Sequence, residues 1–326
     1  MVDPKNIPDL TYENFLNFHR TYYHPSNSYI YLYGNMDMEE KLAFLDEHYL
    51  SHFDYLDVDS VIQEQKAFGA CQDVTLEYPV AENEGEEDNT YLSYNMVVGN
   101  AADSQMAMAF EVLDYALLSA PGAPLKQALL DVKAGKDVYG SYDDGILQPY
   151  FTVIAKGSNP DRKEEFVSVI RQVLGDIVKN GIDRKAVEAG INYFEFRYRE
   201  ADFSSYPKGL MYSLDILGDW LYEKGNPFAQ VQQLTVFEKL KKAVNAGYFE
   251  ELIRKYLLEN PHGCIMTLVP KKGLAAQREK ELEEKLEAYR SSLSEEQLDA
   301  MVEKTKALEA YQEAGEDPKH WSAFRC

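Results

Sequence analysis

The sequence predicts an α+β fold: a mainly antiparallel sheet backed by helices, followed by a C-terminal helical hairpin. Three observations predict it. Segments of alternating apolar residues cluster at 74–78 and 90–96, and others follow at 137–142 and 150–155. A long series of segments with helical spacing comes next, and one more alternating segment, 264–269, closes the series. Strands, then helices, then a last strand describe layered α+β packing rather than a strictly alternating parallel sheet.

The first element is a helix beginning after Thr11. A threonine there serves as N-cap, and Leu10 and Phe15 stand where a hydrophobic staple places its two residues. Phe15, Phe18 and Tyr22 recur at helical spacing and form the predicted buried stripe. His24-Pro25 ends the helix, because the residue before proline is pushed out of the α region. Residues 28–33, with Tyr29-Ile30-Tyr31-Leu32-Tyr33, read as a strand, and Gly34-Asn35 turns the chain. A second helix is expected over 38–53, with Leu42, Leu45, Tyr49 and Phe53 as its stripe. Residues 54–68 are polar and aperiodic, which places a domain boundary there.

The next segment opens with Val74, Leu76 and Tyr78 in alternation, an acidic loop at 82–88, and a second alternating run at 90–96. These two make an antiparallel pair with a loop too long for a tight hairpin. A helix is predicted over 102–118, broken by Ser119-Ala120-Pro121-Gly122-Ala123-Pro124, and another over 125–132. After the strands 137–142 and 150–155, helices are expected at 162–179, 184–200, 207–223, 227–244 and 248–258. The aromatic run Tyr193 to Arg199 reads as a helix with one ring face in the core. Asp143-Asp144-Gly145 lacks the oxygen-ligand spacing of a calcium loop and reads as a turn.

Residues 271–290 are densely charged, with Leu274, Leu282, Leu286 and Tyr289 on one face and a favourable Glu281–Lys285 pair. Ser294 and Gln297 form a capping box for the next helix, with Leu293 and Leu298 as staple. Two such helices joined by a short serine turn make an αα-hairpin whose narrow apolar seams call for a partner surface.

Composition narrows the function. The 326 residues carry 33 basic and 55 acidic side chains, a formal net charge of −22. That balance disfavours nucleic acid and anionic membrane, both polyanions, as partners. Cys71, Cys264 and Cys326 are far apart and lack C-x-x-C spacing, so neither a disulfide framework nor a cysteine metal site is expected. No signal segment is visible and no apolar run is long enough to span a bilayer, so the expected location is cytoplasmic.

The stretch LTYENFLNFHRTYYHPSNSYIYLYGNMD, residues 10–37, resembles the end of the first domain in zinc peptidases of the insulinase/pitrilysin family, most of all the presequence-protease branch. The match continues in order along the chain, including PLKQALL after the Gly/Pro break. The resemblance implies that residues 1–56 are the final helix–strand–helix module of a first peptidase domain. It implies that 57–70 are a linker, 71–270 a second peptidase-like α+β domain, and 271–326 a charged hairpin connecting two halves of the enzyme. It also implies zinc as the parent family's cofactor, held by an inverted H-x-x-E-H motif.

That motif is absent from the sequence. Only His48 and His52 have i,i+4 spacing, and Tyr49, Leu50 and Ser51 lie between them. Zinc hydrolysis normally needs three protein ligands, so no catalytic residue and no bound cofactor are expected of this chain. The other nucleophile, phosphate-loop and dinucleotide motifs are missing as well.

By resemblance, peptide contact falls on the glycine-containing break and the strand after it: Gly122, Leu125, Val138, Tyr139 and Gly140. Glycine permits close backbone approach, and a strand edge can add a peptide by β-augmentation. The competing reading is a plain helix break followed by a sheet strand. The expected function is a non-catalytic segment of a zinc-dependent metalloendopeptidase, part of a chamber wall and a connector between halves. Its partners would be the missing catalytic and C-terminal portions and unfolded peptide substrates. The alternative is an inactive stand-alone peptide-binding or scaffold subunit that pairs with a catalytic chain.

Overall fold

The computed structural model describes residues 4–201, 203–222, 227–228 and 231–314. The chain divides into two compact units, Met1–Leu76 with Glu87–Leu268, and Glu77–Glu86 with Val269–Cys326. Five strands, β1 (Gln72–Pro79), β2 (Thr90–Val97), β3 (Asp137–Asp143), β4 (Tyr150–Ser158) and β5 (Gly263–Lys271), form one sheet in the order β1-β5-β2-β4-β3. The β5–β2, β2–β4 and β4–β3 ladders are all antiparallel, but β1 and β2, expected to pair with each other, do not, because β5 from much later in the chain lies between them.

In the first unit the sheet's alternation decides where the core lies. Along β2, Thr90, Leu92, Tyr94 and Met96 point inward and are buried, while Tyr91, Ser93, Asn95 and Val97 are half-buried. The Tyr94 hydroxyl reaches inward to donate to the Leu257 carbonyl. Helices α3 (Ser104–Asp114), α4 (Pro124–Asp131), α5 (Lys163–Asn180), α6 (Arg184–Glu200), α7 (Lys208–Trp220), α8 (Leu234–Ala243) and α9 (Tyr248–Leu252) follow the chain order expected. Asp103 caps α3 and Asp183 caps α6 through their carboxylates. Phe110, Phe151, Phe166, Phe237 and Phe249 are fully enclosed in the shared core.

Two predicted helices end in wider turns than expected. After α3 the backbone loosens into a π turn at Tyr115–Ser119, and α9 passes into another at Ile253–Leu258. Pro121 and Gly122 stop the first one, since neither suits a helix interior. Of the helix expected over 207–223, residues 208–220 are helical, and of that over 227–244, residues 234–243; positions 223–226 and 229–230 lie outside the described residues.

The first module departs most from expectation. Helix α1 (Tyr12–Tyr22) forms as predicted, and its N-cap Thr11 accepts from the Asn14 N–H at 3.1 Å. Yet it buries no residue: Phe15 is 69% and Phe18 59% exposed, so the predicted stripe faces outward. Helix α2 (Met38–His48) also buries nothing and stops before a single tighter turn at Leu50–His52. Residues 28–33 are extended but not a strand, because no described strand lies beside them. Their rings pack instead on α7, Tyr29 edge-on to Trp220 at 4.7 Å and Tyr33 near Tyr212 at 5.9 Å.

The second unit holds α10 (Leu274–Ser292) and α11 (Glu295–Glu313), joined at Leu293-Ser294. Ser294 and Gln297 make the expected capping box, at 3.2 and 2.8 Å. Leu274 alone among their described residues is buried, while Leu282, Leu286, Tyr289, Met301, Leu308 and Tyr311 are exposed. At its base, Lys271 pairs with Glu77 at 2.7 Å and the Lys272 N–H donates to Glu86 at 2.9 Å.

Candidate functional site

Strand β3 ends the sheet, so one side of its backbone lacks a ladder partner within it. Such a row of peptide groups is a template for an incoming strand. The register Asp137↔Lys156 through Asp143↔Tyr150 fixes which face of β3 is inward. Val138 is fully buried, whereas Tyr139 is 39% exposed.

Gly140 is where β3 lies closest to the helices. A β-carbon there would stand 2.2 Å from the Leu118 side chain and 2.7 Å from the Thr152 carbonyl oxygen. The glycine is therefore required by packing. Leu118 belongs to the π turn, so that turn rests against β3, as does α4 after the Gly/Pro break. Gly122 has a φ of +72° in open space, a left-handed conformation that favours glycine. Leu125, on α4, is fully buried, and Lys126 beside it reaches Asp137 at 3.9 Å.

The five residues singled out by resemblance are thus brought into one neighbourhood, with different roles available to each. Leu125 and Val138 are core side chains and present only backbone. Tyr139 presents its ring. Gly122 and Gly140 shape the turn and the close approach.

Beside the far end of β3 lies an acidic cleft of about 460 Å³ that sequence reasoning did not find. Glu111 of α3, Asp144 of the β3–β4 loop, Asp215 of α7 and Arg197 of α6 line it, together with aromatic rings including Phe194 and Tyr212. Burial pushes the Glu111 carboxyl up to about 7, reinforced by Asp144 and Asp114 and opposed by Arg197. Asp144 and Asp215 are also displaced upward by desolvation, and each has an acidic neighbour, although both keep exposed positions on the rim. The Tyr142 phenol rises for the same first reason, its burial, with Asp144 and Glu111 adding to it. The available signal was Glu111 itself, one carboxylate in the apolar run Ala107 to Leu113, joined to an Asp-Asp-Gly turn far along the chain.

Zinc does not fit the donors among the described residues. Among the described residues no three His, Cys, Asp or Glu side chains converge as a metal site. His48 ends α2 and His52 ends the following turn, and the sequence has no H-x-x-E-H. No helix among the described residues is long and apolar enough to cross a membrane.

Comparison with known proteins places these features. Residues 9–194 match the family model of the peptidase M16 inactive domain, and residues 268–321 match that of the associated region of the C group of M16 peptidases. Protein HypA of Clostridium perfringens is 43% identical over 310 residues, covering 95% of this chain and 32% of that protein. Presequence protease 1, chloroplastic/mitochondrial, of Arabidopsis thaliana is 32% identical over 332 residues, covering 99% of this chain and 30% of that protein. The chain therefore spans about a third of the length of these curated relatives. Among solved structures, an M16-like peptidase from Alicyclobacillus acidocaldarius superposes with a TM-score of 0.58 at 19% identity, and a Helicobacter pylori protease with 0.60 at 16%. Each match covers 82% of this chain and 60% of the other, and shows the shared fold. The chain belongs to the M16, or insulinase, family of metallopeptidases, as a presequence-protease-like segment that includes its inactive domain.

Proposed function

We propose that this chain forms part of the wall of a peptide-degrading chamber and joins the two halves of a larger M16 peptidase. The observation that carries the reading is the paired match, an inactive domain over residues 9–194 and an M16-associated region over 268–321, in a sequence without H-x-x-E-H. Its partners in this reading are a catalytic portion that supplies zinc and the activated water, and a C-terminal portion. Its substrates are unfolded peptides, and its setting is the cytoplasm.

Two features of the fold support the reading. The outer edge of β3 has no ladder partner within the sheet and carries the exposed Tyr139 ring. The exposed apolar faces of α1, α2, α10 and α11 are of the kind that another part of an enzyme covers. Within the proposal, β3 aligns an extended peptide by backbone hydrogen bonds, which select for unfolded chains and not for one sequence.

Reconstitution tests it. The chain is mixed or co-expressed with a polypeptide that carries the H-x-x-E-H region of a close relative, and hydrolysis of an unfolded peptide is followed. Chelator-sensitive hydrolysis that requires both polypeptides supports the reading. A complex that assembles yet hydrolyses peptide no better than the catalytic polypeptide alone contradicts it.

A further inference from the structure

Helix α7 forms one wall of the acidic cleft and one wall of a second cavity, of about 630 Å³. Leu214, Asp215 and Gly218 line the cleft, Ile216 lines the second cavity with Tyr31 and Tyr33, and Tyr212 borders both. Ile216 is the one buried side chain of α7 among its described residues, and Leu210 and Leu214 are half exposed. A β-carbon added at Gly218 would meet nothing within 4 Å. Few buried apolar contacts beside empty space mark an element that opens locally at low cost.

The segment is tethered beyond its far end, where the Tyr198 hydroxyl donates to the Val231 carbonyl and accepts from the Gln233 N–H at 3.3 Å. A β-carbon at Gly209 would stand 2.5 Å from the Tyr33 ring, so the glycine lets that ring lie against the helix. What α7 helps to cover is Glu111, which has no hydrogen-bond or ion-pair partner among the described residues. The groups that act on Glu111 are Asp114 of its own helix, Asp144 of the β3–β4 loop and Arg197 of α6, with the Tyr142 phenol of β3 beside it. Asp144 acts in turn on Asp215 of α7, Asp143 acts on Asp144 and Tyr142, and Asp103 acts on Tyr142. Helix α8 also packs on α3 but puts no residue into the lining of the cleft. Arg197, the single guanidinium there, also lies over the Tyr193 ring at 5.7 Å.

We propose that α7 is a pH-gated lid: ionisation of Glu111 draws water into the cleft and releases α7, and protonation lets it close. The inference does not depend on the peptidase reading. A buried carboxylate without a counter-ion is costly, and the cheapest way to hydrate it is to move the most weakly held wall. The charges already present favour the same movement, because Asp144 repels both Glu111 and Asp215. With the lid closed Glu111 titrates near 7, mainly through burial, and once hydrated it returns toward its ordinary 4.5. The closed state therefore holds a proton that the open state releases, so closure is strongest below about pH 4.5 and weakens as pH rises through 7. Opening also breaks the ring contacts of Tyr29 and Tyr33 with α7, so a pH change felt in the cleft reaches residues 28–33.

The test is amide exchange of the full chain, read by mass spectrometry from about pH 5 to about pH 9 and corrected for the intrinsic rate at each pH. Protection over 208–220 should fall about tenfold or more across this range and level off above 7, since a full proton of difference between the two states gives tenfold per pH unit. It should stay below the protection of β2 at every pH, which is the mark of a lid that opens without global unfolding. Glu111→Gln should remove the pH dependence. Asp144→Asn, at an exposed loop position, should make the fall level off at lower pH, and Arg197→Gln at higher pH. These opposite displacements read the gate even if Glu111→Gln does not fold. Protection over 208–220 that is independent of pH, that equals the protection of β2, or whose pH response is the same in Asp144→Asn and Arg197→Gln overturns the proposal.

Discussion

Glu111 carries the largest carboxylate displacement of the acidic cleft, and its consequence for stability has a definite sign. Its folded carboxyl titrates near 7, above the ordinary value of 4.5, because burial disfavours the charged form. The folded state therefore holds a proton that the unfolded state releases between those values. The contribution is fully present below about pH 4.5 and is lost as pH rises through 7, up to about 3 kcal/mol for this one group. Glu111→Gln, which keeps the shape without the charge, should raise the melting temperature at pH 8 by several degrees and leave it nearly unchanged at pH 4.5. An equal effect at both pH values would show that Glu111 ionises freely. Gly140→Val should destabilise the chain by about 1–3 kcal/mol in a denaturant titration, since the added atoms overlap Leu118 and the Thr152 carbonyl. At this scale the sequence was only partly legible. Gly122 and Gly140 could be singled out, but Glu111 could not, because the cleft it lines is assembled from segments far apart in the chain.

Element behaviour follows from whether each segment finds its partner inside the chain. β2 and β4 were readable because their alternation matches a ladder that is present, Tyr91↔Lys156 through Val97↔Tyr150. Residues 28–33 read as a strand from their tyrosine-rich apolar run, but strand pairing is non-local, and no described strand pairs with them. The caps read correctly at Thr11, Ser294 and Gln297 because capping involves only neighbours in sequence. Ser294→Ala should therefore weaken the start of α11 by about 1 kcal/mol, visible as about fivefold faster amide exchange over its first turn. Unchanged exchange there would mean that the capping box does not hold the helix start. Amide exchange in α1, which buries no residue, should be far faster than in β2, whose alternate side chains are enclosed. Comparable protection in the two would contradict the exposed placement of α1.

For the whole molecule, fold and family were legible while the chain's own role was not. The strand–helix–strand order yields the α+β sheet, and the block from Leu10 to Asp37 carries the resemblance that the M16 matches bear out. The apolar stripe of α1 reads as buried, yet Phe15 and Phe18 lie exposed here, and so do the seams of α10 and α11 that call for a partner surface. Periodicity shows that a face is apolar, not which polypeptide covers it. The central claim is that this chain is a non-catalytic segment and that its chemistry resides elsewhere in the enzyme. The most direct measurement is hydrolysis of an unfolded peptide by the highly purified chain, with and without a zinc chelator. The account predicts no chelator-sensitive cleavage, even with added zinc; robust cleavage that co-purifies with the chain and is abolished by the chelator would contradict it.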